Sequence, residues 1–179
     1  MPELTKQQAA RRLIHAAVTM SDAGADPLAT HVVASSAFNM LRELSKVDGA
    51  HFTVRVYQFS LYNAALSRVK GEDHGLPHHP VSEAWIDGIA KAIVSGGVKG
   101  PEDITIKDAQ KTEFETFRYL VGPFNFLKHA DKDPLETLDE DAVKPIEAIS
   151  FAVTAYGFLF PDDELIPEIR DFLVKNGAL

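Results

Sequence analysis

Residues 107–134, KDAQKTEFETFRYLVGPFNFLKHADKDP, constrain the fold more than any other stretch, because they hold the densest run of aromatic side chains. Apolar residues recur there at helical spacing, which predicts a helix over Thr112–His129. Pro123 cannot donate an N–H to the carbonyl of Tyr119, so we expect a kink at that point. The predicted core stripe of this helix is Phe114, Phe117, Val121, Phe124 and Leu127.

The rest of the chain has helical periodicity in six further segments. The predicted helices cover 5–21, 26–46, 51–70, 81–95 and 142–160, and a last one begins at Pro161-Asp162-Asp163. Thr5 with Gln8, and Asp26 before Pro27, are typical starts of helices. The segment 81–95 runs through the apolar stripe Trp85, Ile89, Ala92 and Ile93, between two connections that are long for a bundle.

Residues 51–59, HFTVRVYQF, are ambiguous because they also alternate as a strand does. We predict a helix, since no partner strand is evident and a lone strand leaves its backbone groups unpaired. The sequence therefore predicts an all-α, single-domain bundle of about six to seven helices over residues 1–179. Thr112–His129 and the nearly all-apolar stretch Ile146–Phe160 are expected to form its core.

Composition narrows the possible functions. The chain has no cysteine, which excludes disulfides and thiolate metal sites, and its net charge is −8. That charge arises entirely from residues 131–179, and an acidic balance disfavours non-specific binding to nucleic acid. The N-terminus lacks the apolar core of a signal peptide, and the longest nearly uncharged stretch, 148–161, is too short to span a bilayer. We predict a soluble cytoplasmic protein without a membrane partner.

Four polar side chains form the first candidate site. Arg118, Asn125 and His129 are spaced seven and four residues apart, so a continuous helix places them on one face, with Lys128 beside them. A guanidinium, an amide and an imidazole together could hold a phosphate and transfer a proton. The alternative is structural, with Asn125 bridging the kinked backbone and Lys128 and His129 binding the last carbonyls of the helix.

The segment Asn125-Phe126-Leu127-Lys128-His129 resembles the asparagine-x-x-x-histidine part of the motif of HEPN-type proteins. This resemblance implies an all-α, usually dimeric bundle, often a metal-independent RNase. The family places an arginine directly before the asparagine, whereas this chain has Phe124 there, and Arg118 is the nearest arginine. Residues 125–134, NFLKHADKDP, are also similar to a stretch of bacterial helical proteins that carries no function with it.

The second candidate site is the loop 72–79, EDHGLPHH. His74, His78 and His79 offer neutral nitrogen ligands for zinc, nickel or iron, with two carboxylates nearby. Two glycines and two prolines in or beside the loop favour a surface segment over a rigid metal site.

The sequence thus leaves three hypotheses open. The first is a binding or interaction module without catalysis or cofactor, expected to be a homodimer and able to take a protein partner. The second is a divergent HEPN-like protein that binds or cleaves RNA, with Asn125, His129 and Arg118 as catalytic residues and Lys128 as a ligand-binding residue. The third is a metal-binding protein that uses His74, His78 and His79.

Overall fold

The computed structural model describes residues 3–45, 51–74, 80–129, 134–163 and 166–175. These ranges form a bundle of seven α-helices without a strand, which confirms the predicted fold class. The helices are α1 (Lys6–Asp22), α2 (Pro27–Ser45), α3 (Phe52–Lys70), α4 (Pro80–Val94), α5 (Ala109–Lys128), α6 (Pro145–Leu159) and α7 (Pro167–Lys175). The ambiguous segment at 51–59 is helical, as predicted.

Local sequence fixes the starts of the first two helices. The Thr5 hydroxyl accepts the N–H of Gln8 at 3.1 Å, and the Gln8 side chain accepts the N–H of Thr5 at 3.0 Å, which completes a capping box. The Asp26 carboxylate accepts the N–H of Ala29 at 2.9 Å before α2 begins. Both predicted helix starts are confirmed.

The main core lies between α2 and α6, which pack against each other and share α1 and α3 as neighbours. The Phe38 ring of α2 lies 5.8 Å from Phe52 of α3 and 6.2 Å from Phe151 of α6. The stretch Glu140–Leu159, which contains α6, is long and apolar enough to cross a membrane by length and composition alone. Inside this bundle α6 buries Ala148, Ile149, Ala152, Val153, Ala155 and Tyr156.

The expected core role of α5 is confirmed only in part. Leu120 and Val121 belong to the main core, where α5 packs against α2 and α3, and Phe117 packs against that core. Phe114 and Leu127 of its predicted core stripe are 65% and 48% exposed. A helix that packs along one side buries only a narrow stripe, and neighbouring helices decide which stripe that is. Here the buried residues are Thr116, Leu120, Val121 and Pro123.

His31 and Ser35 bind α5 to α2 directly at its proline. Within α5 Pro123 has no N–H to donate, and its ring crowds the preceding turn. The carbonyl of Leu120, three residues earlier, accepts hydrogen bonds from the fully buried His31 and from the Ser35 hydroxyl, both on α2. Close to the proline, a carbonyl of α5 is thus bound by two side chains of α2.

The last helix begins later than predicted, at Pro167 instead of the Pro161-Asp162-Asp163 turn. Asp163 has a different role, because its carboxylate binds the Arg11 guanidinium at 3.0 Å and the Gln7 amide at 3.0 Å, and accepts the hydroxyl of buried Tyr156. The bond from Tyr156 is the first reason that the pKa of Asp163 is lowered. The turn after α6 is thus held on α1 by contacts between residues that are far apart in sequence. Rules for helix starts consider only neighbouring residues, so they do not predict these contacts.

A second, smaller core joins the C-terminal half of α3 to α4 and to residues 98–104. On α4 the buried side chains are Ile86 and Ala90, whereas Trp85 is 54% exposed. The prediction is wrong for Trp85, whereas Ile89 and Ile93 of the predicted stripe are partly buried and pack against this core. Because α4 packs chiefly on α3, its contact with that one helix decides which face of α4 is buried.

Candidate ligand-binding groove

The four candidate residues of α5 are not part of the groove described below. Arg118 and Lys128 are exposed, and Asn125 and His129 are partly buried. His129 ends the helix, and its N–H donates to the carbonyl of Asn125 at 3.0 Å. Arg118 precedes His129 by eleven residues, about 16 Å along a helix axis. The structure brings Asn125 and His129 together at the helix end and leaves Arg118 away from them, so the RNase hypothesis stays a prediction.

Of the three candidate metal ligands, the structure describes His74, while His78 and His79 lie outside the described residues. The His74 imidazole is buried, with 1% of its side chain exposed, and its Nε2 lies 2.9 Å from a carboxylate oxygen of Glu83. Within the described ranges no group of three or more metal-ligating side chains is found. His74 therefore attaches the segment after α3 to α4.

Arg68 extends this contact into a clamp between α3 and α4. Its guanidinium binds a carboxylate oxygen of Glu83 and, at 2.7 Å, a carboxylate oxygen of Asp87, one turn further along α4. The bond to Glu83 is the largest reason that the pKa of Arg68 is raised, so its charge is permanent. The carboxylates of α4 are thereby held on its α3 side, and the other side of α4 carries Trp85, Gly88 and Ile89.

That other side of α4 forms one wall of a groove of about 800 Å³. Tyr57 and Leu61 of α3, the irregular segment 104–107 and Thr112 of α5 complete its lining, and residues 104–107 are called its second wall. The described residues that line it are Tyr57, Leu61, Ala84, Trp85, Gly88, Ile89, Ile104, Thr105, Ile106, Lys107 and Thr112. Its volume is in the range of small-molecule sites, and most of its lining is apolar.

The wall at 104–107 is fixed to α3 by side-chain hydrogen bonds. The Gln58 amide donates to the carbonyl of Ile104 at 2.7 Å, and the Tyr62 hydroxyl donates to the carbonyl of Lys99 at 2.8 Å. The Asp103 carboxylate accepts the N–H of Lys99 at 2.7 Å and that of Gly100 at 3.2 Å. These bonds satisfy backbone groups of the irregular segment 99–104, and the bond from Gln58 attaches the first residue of the wall to α3.

Tyr57, in the α3 part of the groove lining, is also held in place by neighbouring side chains. Its ring packs edge-on against Phe151 at a centroid distance of 5.2 Å, and its hydroxyl hydrogen-bonds with the Thr116 side chain. Burial raises the pKa of Tyr57 above its ordinary value of 10.0, so the phenol is protonated at neutral pH. Beside this pair, the Tyr119 hydroxyl donates to the Glu147 carboxylate. Burial is the largest cause that raises the pKa of Tyr119, and the bond to Glu147 is the second. Both phenols act as hydrogen-bonding groups rather than as bases.

Sequence reasoning missed this groove, although two signals of it were present. One is the long connection SGGVKGPED at 95–103, because long ordered connections often carry function. Gly88 stands within an otherwise regular helix, three residues after the single tryptophan. A Cβ added at Gly88 would lie in open space, so glycine is not required there by packing. Its lack of a side chain instead leaves room beside Trp85.

Comparison with known proteins gives no match, whether to family models, to curated proteins or to solved structures.

Proposed function

We propose that this protein is a binding module without catalysis, and that a small molecule with an apolar body occupies the groove between α3, α4 and residues 104–107. The observation that carries this proposal is the half-exposed Trp85 beside the open space at Gly88. A tryptophan left in water forgoes a large hydrophobic gain, which a ligand covering it recovers. The first of the three hypotheses drawn from the sequence is the one that this geometry favours.

The groove chemistry supports binding over catalysis. Of the described lining residues, Tyr57 and Lys107 alone have ionisable side chains, and Tyr57 is a protonated phenol at neutral pH. The remaining polar groups of the lining side chains are the Trp85 indole N–H and the hydroxyls of Thr105 and Thr112. They can orient a ligand by hydrogen bonds, but the hydroxyls need a base to act as nucleophiles. A few fixed polar groups in an apolar groove are typical of recognition sites.

The test uses Trp85, which as the only tryptophan reports directly on the groove. We expect octan-1-ol to cause a saturable shift of Trp85 emission in the intact protein. Gly88→Leu places a side chain into the open space of the groove and should weaken that binding about tenfold or more. Replacing a helical glycine also stabilises a helix by about 0.5–1 kcal/mol, so the variant should remain folded.

The matched control is Gly122→Ala in α5, where an added Cβ also lies in open space but outside the groove. This variant should gain comparable stability and bind octan-1-ol as the wild type does. The proposal is wrong if the emission never saturates, or if Gly88→Leu binds octan-1-ol as tightly as Gly122→Ala does.

A further inference from the structure

We infer that the ligand is an amphipathic anion, a free small-molecule acid whose apolar body lies in the groove and whose acidic group meets Lys107. This inference rests on the proposed function and adds the chemical class of the ligand. It follows from the distribution of charge around the groove, which differs from that of the whole chain.

Lys107 is the one charged side chain among the described residues of the lining. It is exposed and stands at the end of the 104–107 wall, two residues before α5 begins. No carboxylate within the described ranges lies within ion-pair distance of it, whereas the next lysine, Lys111, has Glu115 at 3.8 Å. An acidic ligand group would supply the partner that Lys107 lacks.

The acidic groups of α4 do not cancel this charge. Glu83 binds both Arg68 and His74, and Asp87 binds Arg68 on the side of α4 that faces α3. Both carboxylates are therefore bound to Arg68, and neither residue is part of the groove lining. The apolar side chains Leu61, Ile89, Ile104 and Ile106 make up the rest of the walls and favour a hydrocarbon body.

The net charge of the chain opposes the binding of anions. At −8 the protein as a whole attracts cations and repels anions. A preference for an anion over a matched neutral ligand must therefore come from a local positive group. Screening by salt weakens the long-range repulsion more than it weakens contact with Lys107.

The experiment titrates the intact protein with octanoate, octan-1-ol and octylammonium, which share one chain and differ in charge, and follows Trp85 emission. We expect octanoate to bind about fivefold more tightly than octan-1-ol, as a partly exposed ion pair permits. Lys107→Gln should bring the two affinities together, and Lys107→Glu should favour octylammonium. The control is Lys111→Glu, which changes the net charge as Lys107→Glu does but lies outside the groove lining, and should keep the octanoate preference.

The possible outcomes test the anionic ligand and the proposed binding function separately. Equal affinity for octanoate and octan-1-ol, or tighter binding of octylammonium by the wild type, overturns the anionic ligand and leaves the groove as a binding site. A preference for octanoate that persists in Lys107→Gln, or disappears in Lys111→Glu, also overturns it, because Lys107 is then not the recognising group. Failure of all three compounds to saturate the Trp85 signal overturns the proposed function itself.

Discussion

The imidazole Nε2 of His31 lies 2.9 Å from the carbonyl oxygen of Leu120, and its Nδ1 lies 2.9 Å from the backbone nitrogen of Lys144. A backbone N–H can only donate, so Nδ1 must accept and Nε2 must carry the proton. The buried ring is thus a neutral imidazole that links α2 to α5 and to the residue before α6. Protonation at Nδ1 would place two donors against each other and break the second bond.

The first prediction concerns the pH dependence of stability. Burial lowers the pKa of His31 below its ordinary 6.5, although Glu147 nearby opposes this shift. Below pH 6.5 the unfolded chain therefore binds more protons than the folded protein, so the free energy of unfolding falls as pH falls. One such proton changes it by at most about 1.4 kcal/mol per pH unit. His31→Gln keeps a donor and an acceptor without titrating, and should flatten this slope in urea unfolding measured from about pH 7 to 5.

His15→Gln is the matched control, because His15 is exposed on α1. Its slope should equal that of the wild type. Parallel curves for His31→Gln and the wild type over this range would mean that His31 does not contribute to the pH dependence.

The second prediction separates the structural role of His74 from the metal hypothesis. His74→Ala removes one of the two partners of Glu83, at a buried position, and should lower the free energy of unfolding by about 1–2 kcal/mol. His74→Gln can donate to the same carboxylate and should recover most of that loss. A chelator should leave the melting temperature of the wild-type protein unchanged, as measured by thermal denaturation.

The opposite pattern would favour metal binding. A melting temperature that falls with chelator in the wild type, but not in His74→Ala, would show that His74 holds a metal together with residues outside the described ranges.

The third prediction concerns the HEPN-like resemblance at the end of α5. We expect purified protein to leave single-stranded RNA intact, because Arg118 and His129 are separated along the helix. His129→Ala should change stability by no more than about 0.5 kcal/mol, as is usual away from the core. Gel analysis of labelled RNA incubated with both proteins provides the measurement. Cleavage by the wild type that is lost in a folded His129→Ala would establish the RNase alternative instead.

The parts of the fold that the sequence predicted depend on local interactions. The caps at Thr5 and Asp26 act within four residues, and helix formation at 51–59 follows from the need to pair every backbone group. The homodimer and the cytoplasmic location stay predictions, because both depend on contacts or surroundings outside a single chain.

The candidate site was less predictable, since its parts come from three regions of the sequence. Tyr57, Trp85 and Lys107 are ordinary residues in their own segments, and only packing brings them to one groove. Arg118, Asn125 and His129 were predicted as a candidate site because they are close in sequence. Proximity along a helix does not by itself make a cleft.

The sequence by itself determined that this chain is helical, where most helices begin, and which segments connect them, because these follow from hydrogen bonds and side-chain spacing within a few residues. Only the tertiary structure decided which face of α4 and α5 is buried, and that Asp163 holds the turn after α6 on α1. It also decided that Gly88 borders an open groove and is not a point of contact between two helices. These outcomes depend on which apolar surfaces meet, and that choice is made by the free energy of the whole packed core.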